Sequence, residues 1–350
     1  MRKSIIWIVL SVICTQVWAW TSPLPLPDVG EARIRVVGQN AQNYLLDFGA
    51  SNASCRNQQA FDAKTDKMAN VFVALDADIV ALCEVEWNSE ILSVIADAMN
   101  EIASTNVYTY VSDDLGDAEE SRTGYMGLKA GFIYRSDKIE PVGNNYSPYY
   151  SSSIYSARLR IQAFKELATD EKFVLSMNHF KAKDDSEDAG ESTRMTNVSR
   201  LLNKLAYETT DPDILIMGDL NAYMGEAPIV ALEEAGYTEQ LVRFSPLEPP
   251  YSYIYYGEKG LLDHTMANAP MASQVTGAQV FHINTGGYNN YRFSDHDTYI
   301  IGLDLGNRGA ALEQTEEEMS LTVEKVLRNG VLYIRRGEGV YTLTGIKVER

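Results

Sequence analysis

Residues 214–221 read Ile-Leu-Ile-Met-Gly-Asp-Leu-Asn, and the stretch changes from apolar to polar in its middle. Its first four residues form a run of long and β-branched apolar side chains, which is typical of a buried strand. Gly218, Asp219 and Asn221 follow where that strand should end. A carboxylate and an amide at this place can bind a cation or move a proton. The stretch therefore predicts both a buried strand and a candidate site at its end.

Other parts of the chain repeat the apolar half of this pattern. Similar runs occupy residues 34–37, 79–83, 128–134, 173–177, 279–283 and 298–303. Helical spacing of apolar residues lies between several of them, with one face formed by Met68, Val71, Phe72 and Leu75 and another by Met195, Val198, Leu201, Leu202 and Leu205. Strands that alternate with helices predict an α/β domain over residues 31–305.

Polar residues able to bind a metal or transfer a proton recur where the apolar runs stop. They are Asn40, Glu84, His179, Asp219, Asn221, Asp263 with His264, Asp295 and His296. A single histidine or carboxylate of this kind is more often a structural or solvated residue. Their joint recurrence matters more, because the chain has only four histidines and three of them lie in these segments. If the strand ends meet at one edge, they form an active site there.

In chain order these segments resemble the successive motifs of the endonuclease/exonuclease/phosphatase superfamily. The matching segments are Ile34-Arg-Val-Val-Gly-Gln-Asn40, Ala81-Leu-Cys-Glu84-Val-Glu, Met177-Asn-His179-Phe-Lys, Gly218-Asp219-Leu-Asn221, Leu262-Asp263-His and Ser294-Asp295-His296-Asp297. Tyr251-Ser-Tyr, Gly260-Leu-Leu-Asp-His, Phe281-His-Ile-Asn284 and Tyr291-Arg-Phe extend the resemblance towards bacterial extracellular nucleases. The resemblance implies a deoxyribonuclease I-like, four-layer α/β sandwich, in which two packed mixed β-sheets are flanked by helices.

The same resemblance implies a metal-dependent hydrolase. Glu84 is expected to be the principal ligand of Mg²⁺ or Mn²⁺, with Ca²⁺ as an alternative, and Asn40 and Asp295 are expected beside it. Oxygen donors are what such hard cations prefer. Hydrolysis of a phosphodiester needs on the order of 20 kcal/mol of transition-state stabilisation, so a cation and several oriented groups must share the task.

The expected proton-transfer residues also come from the resemblance. Asp219 would activate the attacking water, with Asn221 holding the water or a phosphate oxygen. His296, oriented by Asp263, would donate or carry a proton, and the choice of base between Asp219 and His296 stays open. His179 matches the position of a second catalytic histidine in deoxyribonuclease-like members, where it would protonate the leaving oxygen. Candidate phosphate contacts, each with a surface ion pair or cap as the rival interpretation, are Lys181, Asn284 and Arg292.

The expected substrate is a nucleic acid, DNA before RNA, with a phosphomonoester or a lipid phosphodiester as the alternative. A formal charge of −18 argues against a broad basic face for nucleic acid. It does not exclude a nuclease, because a bound divalent cation acts on the phosphate at contact distance.

Three departures from the family pattern concern the substrate side of the site. They are polar Gln39 before Asn40, Thr285-Gly-Gly after Asn284, and Thr298 after Asp297.

The ends of the chain predict export and an appended segment. Residues 1–19 combine Arg2 and Lys3 with an apolar run and a terminal Ala19, which indicates a signal peptide and a secreted, periplasmic or cell-surface protein. An acidic linker is expected at 306–318 and a small β tail at 319–350, either related to protein sorting or a plain hairpin.

Cys55 and Cys83 form either one disulfide or two buried thiols. The oligomeric state is left open.

Overall fold

The computed structural model describes residues 23–88, 90–112, 127–146, 159–208 and 211–306, together with short strands between 323 and 348. The predicted signal peptide at 1–19 and nearly all of the predicted linker at 306–318 lie outside the described residues. Within these ranges, no helix has both the length and the apolar character needed to cross a membrane.

The first sheet has six strands of mixed direction. In spatial order they are β13 (Val275–Phe281), β14 (Thr298–Leu303), β1 (Ile34–Tyr44), β2 (Ile79–Glu86), β4 (Leu128–Arg135) and β3 (Tyr108–Tyr110). β1 and β2 are parallel, and α1 (Gln58–Ala74) connects them, while α2 (Ile91–Ala103) follows β2. The carboxyl ends of β1 and β2 therefore lie at the same edge of the sheet.

The second sheet also has six strands. In spatial order they are β5 (Ile139–Tyr146), β6 (Leu159–Glu166), β7 (Lys172–His179), β8 (Ile214–Asp219), β12 (Asp263–Asn268) and β9 (Tyr237–Glu239). Its helices are α3 (Glu191–Glu208), which joins parallel β7 and β8, α4 (Ala227–Glu234), and the short α5 (Gln240–Arg243) and α6 (Ala269–Ala272). A separate hairpin consists of β10 (Tyr253–Tyr255) and β11 (Glu258–Gly260).

Apolar packing between the two sheets forms the central core. Val36, Ile79 and Phe132 of the first sheet share one buried cluster with Phe164 and Met217 of the second. The rings of Phe132 and Phe164 meet edge to face with centroids 5.6 Å apart. Each outer face is covered by helices, α1 and α2 on the first sheet and α3 and α4 on the second. The predicted four-layer α/β sandwich is confirmed.

Helix α1 illustrates how local sequence sets an element of this fold. The side chain of Asn57 caps its start by accepting a hydrogen bond from the backbone N–H of Ala60. Phe61, Met68 and Phe72 recur at helical spacing and are buried against the first sheet. All seven apolar runs predicted as strands overlap strands of the structure. The sequence did not single out β6, because Arg160, Gln162 and Glu166 interrupt its apolar residues although all three are buried.

Cys55 and Cys83 are separate buried thiols, so the disulfide that the sequence allowed is absent. Cys83 belongs to the core between the two sheets, whereas Cys55 belongs to the cluster beneath α1 on the opposite face of the first sheet. A bridge would have to cross the sheet, which disulfide geometry does not permit.

The described part of the tail is a four-stranded antiparallel meander. It consists of β15 (Val323–Arg328), β16 (Val331–Arg336), β17 (Gly339–Thr342) and β18 (Lys347–Val348). The domain boundaries and the sorting role stay predictions.

Gly218 allows β7 and β8 to approach each other where the site begins. Its φ of +134° is a conformation that side chains rarely adopt, and a Cβ there would lie 2.0 Å from the carbonyl oxygen of Asn178. Any side chain would force the two strands apart one residue before Asp219. The glycine is thus required by both backbone conformation and space.

We expect Gly218→Ala to lower the free energy of unfolding by about 2–5 kcal/mol, because backbone strain and a steric clash add. Gly236→Ala is the matched control, since Gly236 has a φ of +91° but no atom within 4 Å of the added Cβ. Its cost should be strain alone, about 1–2 kcal/mol. Urea unfolding of both variants measures the difference, and equal losses would contradict the proposed clash.

Candidate active site

Three predicted site residues lie side by side at the edge of the second sheet. His179 at the end of β7 pairs in register with Asp219 at the end of β8, and Asp219 pairs with Asp263 at the start of β12. β7 and β8 are parallel, so both end at this edge, and antiparallel β12 begins there. Residues paired in register point to the same side of a sheet, which brings the three side chains together.

The first sheet contributes Asn40 and Glu84 to the same place. Glu84 has a φ of +57° within an irregularity of β2, and such a bulge redirects a side chain at the end of a strand. Asn40 Nδ2 donates to Glu84 Oε1 and to Asp219 Oδ2, each at 3.0 Å. A single buried amide thus connects the carboxylates of the two sheets.

Glu84, His179 and Asp219 form a group that could hold a metal ion. One ligand atom from each lies within 4.8 Å of the others, and His179 Nε2 is 3.3 Å from Glu84 Oε1 and 3.8 Å from Asp219 Oδ2. Two carboxylates facing each other fit a divalent cation, because it would balance their mutual repulsion. The sequence had placed His179 and Asp219 among the proton-transfer residues instead.

The other predicted ligands are arranged differently. Asn40 presents its nitrogen to the carboxylates, while its Oδ1 accepts from the backbone N–H of Gln42 at 2.9 Å. Ligation by Asn40 would require the amide to turn over. The carboxylate of Asp295 is not part of the group around Glu84, although burial raises its pKa and the charge of Glu84 raises it further.

His296 and Asp263 form a buried pair beside Asp219. His296 Nδ1 lies 2.7 Å from Asp263 Oδ2, and its Nε2 lies 3.7 Å from Asp219 Oδ2. Burial alone would lower the pKa of His296, but the carboxylates of Asp263 and Asp219 outweigh it and raise that pKa well above its ordinary value. The two carboxylates therefore favour the charged, proton-donating form of the imidazole.

The pKa of Asp219 is raised as well. Burial raises the pKa of its carboxyl to about 7, His296 lowers it, and the charges of Asp263 and Glu84 raise it. Its Oδ1 accepts from the backbone N–H of Asn221 at 3.0 Å, and Asn221 Nδ2 donates to the carbonyl oxygen of Phe180 at 3.2 Å. Asp219 can thus lose or accept a proton near neutral pH, as a general base must.

Asn284, predicted as a phosphate contact, has a structural role instead. It is buried, its Nδ2 donates to the carbonyl oxygen of His296 at 2.7 Å, and its Oδ1 accepts from the N–H of Phe293 at 2.9 Å. These bonds use both ends of the amide to shape the segment that carries His296. Asn284 therefore orients the histidine from behind and is not available to a substrate in this arrangement.

The departures from the family pattern are connected to this segment as well. Gln39 Nε2 donates to the carbonyl oxygens of Asn40 and His296, and its Oε1 accepts from the hydroxyl of Thr298. Thr285 donates its N–H to Asp297 Oδ1 at 2.9 Å. Gln39 and Thr298 thus bind each other inside the protein and hold the His296 segment to β1.

Arg292 and Lys181 lie at the margin of the site. Arg292 is exposed, and its Nε donates to the carbonyl oxygen of Ser294 at 3.0 Å. Lys181 Nζ is 3.0 Å from Asp184 Oδ2, the surface ion pair that was the rival interpretation. Of the remaining histidines, His264 is buried against Glu239, and His282 lies 2.8 Å from Asp297 and stacks on Tyr251.

Sequence reasoning missed the supports of the pair formed by Asp263 and His296. Ser252 Oγ accepts the N–H of Asp263 at 3.0 Å, and the carbonyl oxygen of Ser252 accepts the N–H of Asp297 at 2.8 Å. The ring of Tyr253 lies 4.6 Å from the ring of His296. The motif Tyr251-Ser-Tyr was the available signal, but a serine between tyrosines does not reveal which backbone groups it will meet.

The amino-acid sequence was compared with known protein families and with curated sequences. The profile of the Endonuclease/Exonuclease/phosphatase family matches residues 49–296. Among curated protein sequences there is no match.

Solved structures share the fold at low identity. A Bacteroides thetaiotaomicron protein of that family has a TM-score of 0.56 and 15% identity, covering 78% of this chain and 98% of its own. A mannosyl-6-phosphatase from the same species has a TM-score of 0.53 and 15% identity, covering 78% and 100%. D. rerio TDP2 complexed with single strand DNA product has a TM-score of 0.52 and 11% identity, covering 77% and 98%. At such identities the likeness concerns the fold alone.

We expect Asp219→Asn to change the pH dependence of stability in EDTA. The folded pKa of Asp219 is raised to about 7, so its ionised form is penalised in the folded protein and the wild type loses stability as pH rises from about 4 to about 7. The variant lacks this loss. Its Tm relative to the wild type should rise between pH 5 and pH 8 in thermal unfolding, and a constant difference would argue against the raised pKa.

Asp263→Asn should lower the pKa of His296, because a carboxylate that stabilises the imidazolium is removed. We expect kcat on any cleaved phosphoester to fall by roughly 10²- to 10⁴-fold. The basic limb of the pH–rate profile should move to lower pH, since the proton on His296 is lost earlier. An unchanged limb with a reduced rate would indicate that His296 is not the proton donor.

Proposed function

Since the chain belongs to the endonuclease/exonuclease/phosphatase family, whose enzymes are typically metal-dependent hydrolases, we propose that it is a nuclease that hydrolyses DNA phosphodiester bonds, with RNA as a secondary substrate. The observation that carries the proposal is the aromatic surface beside His296. Tyr253 lies against His296, and Tyr251 stacks on His282 with ring centroids 4.0 Å apart and planes 11° apart.

Aromatic rings beside the active site can stack on the nucleobases of a nucleic-acid substrate. Every nucleobase has a face that stacks on tyrosine or histidine, and each such contact contributes roughly 1–3 kcal/mol. Lys259 Nζ lies 4.2 Å above the centroid of the Tyr251 ring, which adds a cation near the same surface. The hairpin of β10 and β11 also carries the exposed Tyr255 and Tyr256. A small sugar phosphate would leave most of this surface unused.

The proposed reaction is attack of water on phosphorus in line with the leaving oxygen. Asp219 accepts a proton from the attacking water, because its carboxylate is buried beside His296 and next to Glu84 and His179, which would hold the cation. Asn221, fixed by its bond to Phe180, positions the water or a phosphate oxygen. His296 donates from Nε2 to the phosphate or leaving oxygen, while Asp263 holds its Nδ1. The pKa directions thus favour Asp219 as base and His296 as acid.

A divalent cation would be held by Glu84 with His179 and Asp219 nearby, and it would supply positive charge that stabilises the charge developing on the phosphate. We propose Mg²⁺ or Mn²⁺, because carboxylate oxygens are the principal donors. Glu84 is kept in place by Asn40 and by the backbone N–H of Asn43, which donates to its Oε2 at 2.9 Å.

The residues 1–19 support a secreted, periplasmic or cell-surface location for the enzyme, as part of the same proposal. The alternative of a phosphomonoesterase has a fold-level precedent in the mannosyl-6-phosphatase, which shares the architecture with TDP2. The same metal-binding carboxylates serve either reaction, so substrate assays must separate them.

The mature protein should cleave plasmid and linear DNA in the presence of Mg²⁺ or Mn²⁺ and lose this activity in EDTA. His296→Ala should lower the rate at least about 100-fold, because the proton donor is lost. The test compares DNA, RNA, phosphate monoesters and lipid phosphodiesters under identical conditions. Hydrolysis of monoesters alone would reject the nuclease.

A matched pair of tyrosine variants tests the role of the aromatic surface. Tyr253→Leu should lower kcat/KM on DNA about tenfold or more, since one stacking contact is lost. Tyr207→Leu is the control, because Tyr207 is 88% exposed on α3 and does not belong to the aromatic surface. Equal effects of the two variants would mean that the aromatic surface does not bind the substrate, and would contradict the proposal.

A further inference from the structure

A cavity of about 320 Å³ lies beside the active site, between α1 and the segment that leads to Ser294. Its polar lining includes Gln42, Ser54, Lys64, Lys67, Arg292 and Ser294. Three of these side chains are cationic, and none of the residues that line the cavity is acidic. Since the whole chain has a formal charge of −18, such a concentration of positive charge marks an anion site.

Two lining residues connect the cavity directly to the active site. The backbone N–H of Gln42 donates to Asn40 Oδ1 at 2.9 Å, and Ser294 Oγ donates to the carbonyl oxygen of Asn40 at 2.7 Å. Asn40 in turn bridges Glu84 and Asp219. An anion in the cavity would therefore be a near neighbour of the group undergoing hydrolysis.

Lys64 is the best indication that an anion belongs here. It is buried, and its Nζ donates to the carbonyl oxygen of Gln42 at 3.1 Å and to Ser54 Oγ at 2.9 Å, both of them neutral oxygens. A buried ammonium group is costly unless a negative charge compensates it. Burial accordingly lowers the pKa of Lys64 to about 8, although Asp295 and Glu84 are near enough to raise it partly.

Lys67 and Arg292 line the same cavity and are more exposed than Lys64. Lys67 is one helical turn after Lys64, and its Nζ donates to the carbonyl oxygen of Arg292 at 3.1 Å. The Nε of Arg292 is bound to the carbonyl oxygen of Ser294. This contact fixes the guanidinium, whose planar set of donors matches two phosphate oxygens. One buried ammonium and two more exposed cations would thus face a phosphate group in the cavity.

We propose that this cavity binds the phosphate adjacent to the scissile one, so that the preferred substrate carries at least two phosphates along a nucleotide chain. The inference rests on the nuclease function proposed above and deepens it. A substrate with a single phosphate could occupy the metal-binding carboxylates but would leave Lys64, Lys67 and Arg292 without an anion. The cavity thus selects internal linkages, or linkages next to a terminal phosphate.

Thymidine dinucleotides test the proposal, because they contain one cleavable linkage. We expect d(TpTp) or d(pTpT), depending on the side of the cavity, to have a kcat/KM at least about tenfold above that of d(TpT), since charge-assisted hydrogen bonds to the extra phosphate are gained. In the variant Lys67→Gln/Arg292→Gln this ratio should fall to about one. Lys165→Gln, which removes a lysine paired with Glu140 on the surface, should keep the wild-type ratio.

A ratio near one in the wild type, or a ratio that survives in Lys67→Gln/Arg292→Gln, would overturn the proposal. A second measurement does not depend on nuclease activity. Inorganic phosphate in EDTA should raise the Tm of the wild type and of Lys165→Gln above that in chloride of equal ionic strength, but not that of Lys67→Gln/Arg292→Gln. If monoesters alone are hydrolysed while phosphate still stabilises the wild type selectively, the nuclease function fails and the anion site stands. The same rise in all three proteins would reject the site.

Discussion

The register between β7, β8 and β12 is the constraint on which the site depends. It places Asp219 between His179 and Asp263, so a one-residue slip of either neighbouring strand would turn a required side chain to the other face of the sheet. Gly218 makes this register possible, because its lack of a side chain lets β8 lie against the backbone of Asn178. Packing against the first sheet then brings Glu84 and Asn40 to the same edge.

Electrostatics makes this geometry reactive. Glu84, Asp219 and Asp263 are three carboxylates in a small buried region, and their repulsion is relieved by His296, by the amide of Asn40 and by the cation we propose. The same crowding raises the pKa values of Asp219 and His296 together, so one group can accept a proton while the other still holds one. By linkage, ionisation of Asp219 lowers the stability of the metal-free protein, whereas the proton on His296 adds to it.

The polar supports around His296 form one hydrogen-bonded framework. Gln39 and Thr298 differ from the family pattern, yet they bind each other and hold the carbonyl oxygen of His296. Asn284 completes the arrangement from the opposite side. Lys64 has a related position between two neutral oxygens at the other side of Asn40, which links the proposed anion cavity to the same framework.

The sequence by itself determined the seven buried strands, the α/β class and the set of polar residues at strand ends, because short-range apolar patterns and local motifs record these features. Only the tertiary structure decided which of them meet. It showed that Asp219 and His179 adjoin Glu84, that Asp295 does not belong to that group, and that Asn284 supports His296 from within the protein. Cys55 and Cys83 illustrate the reason. They are two cysteines from neighbouring parts of the sequence, yet they lie on opposite faces of the first sheet. The distance between two side chains is set by strand pairing between distant segments, which local sequence patterns do not record.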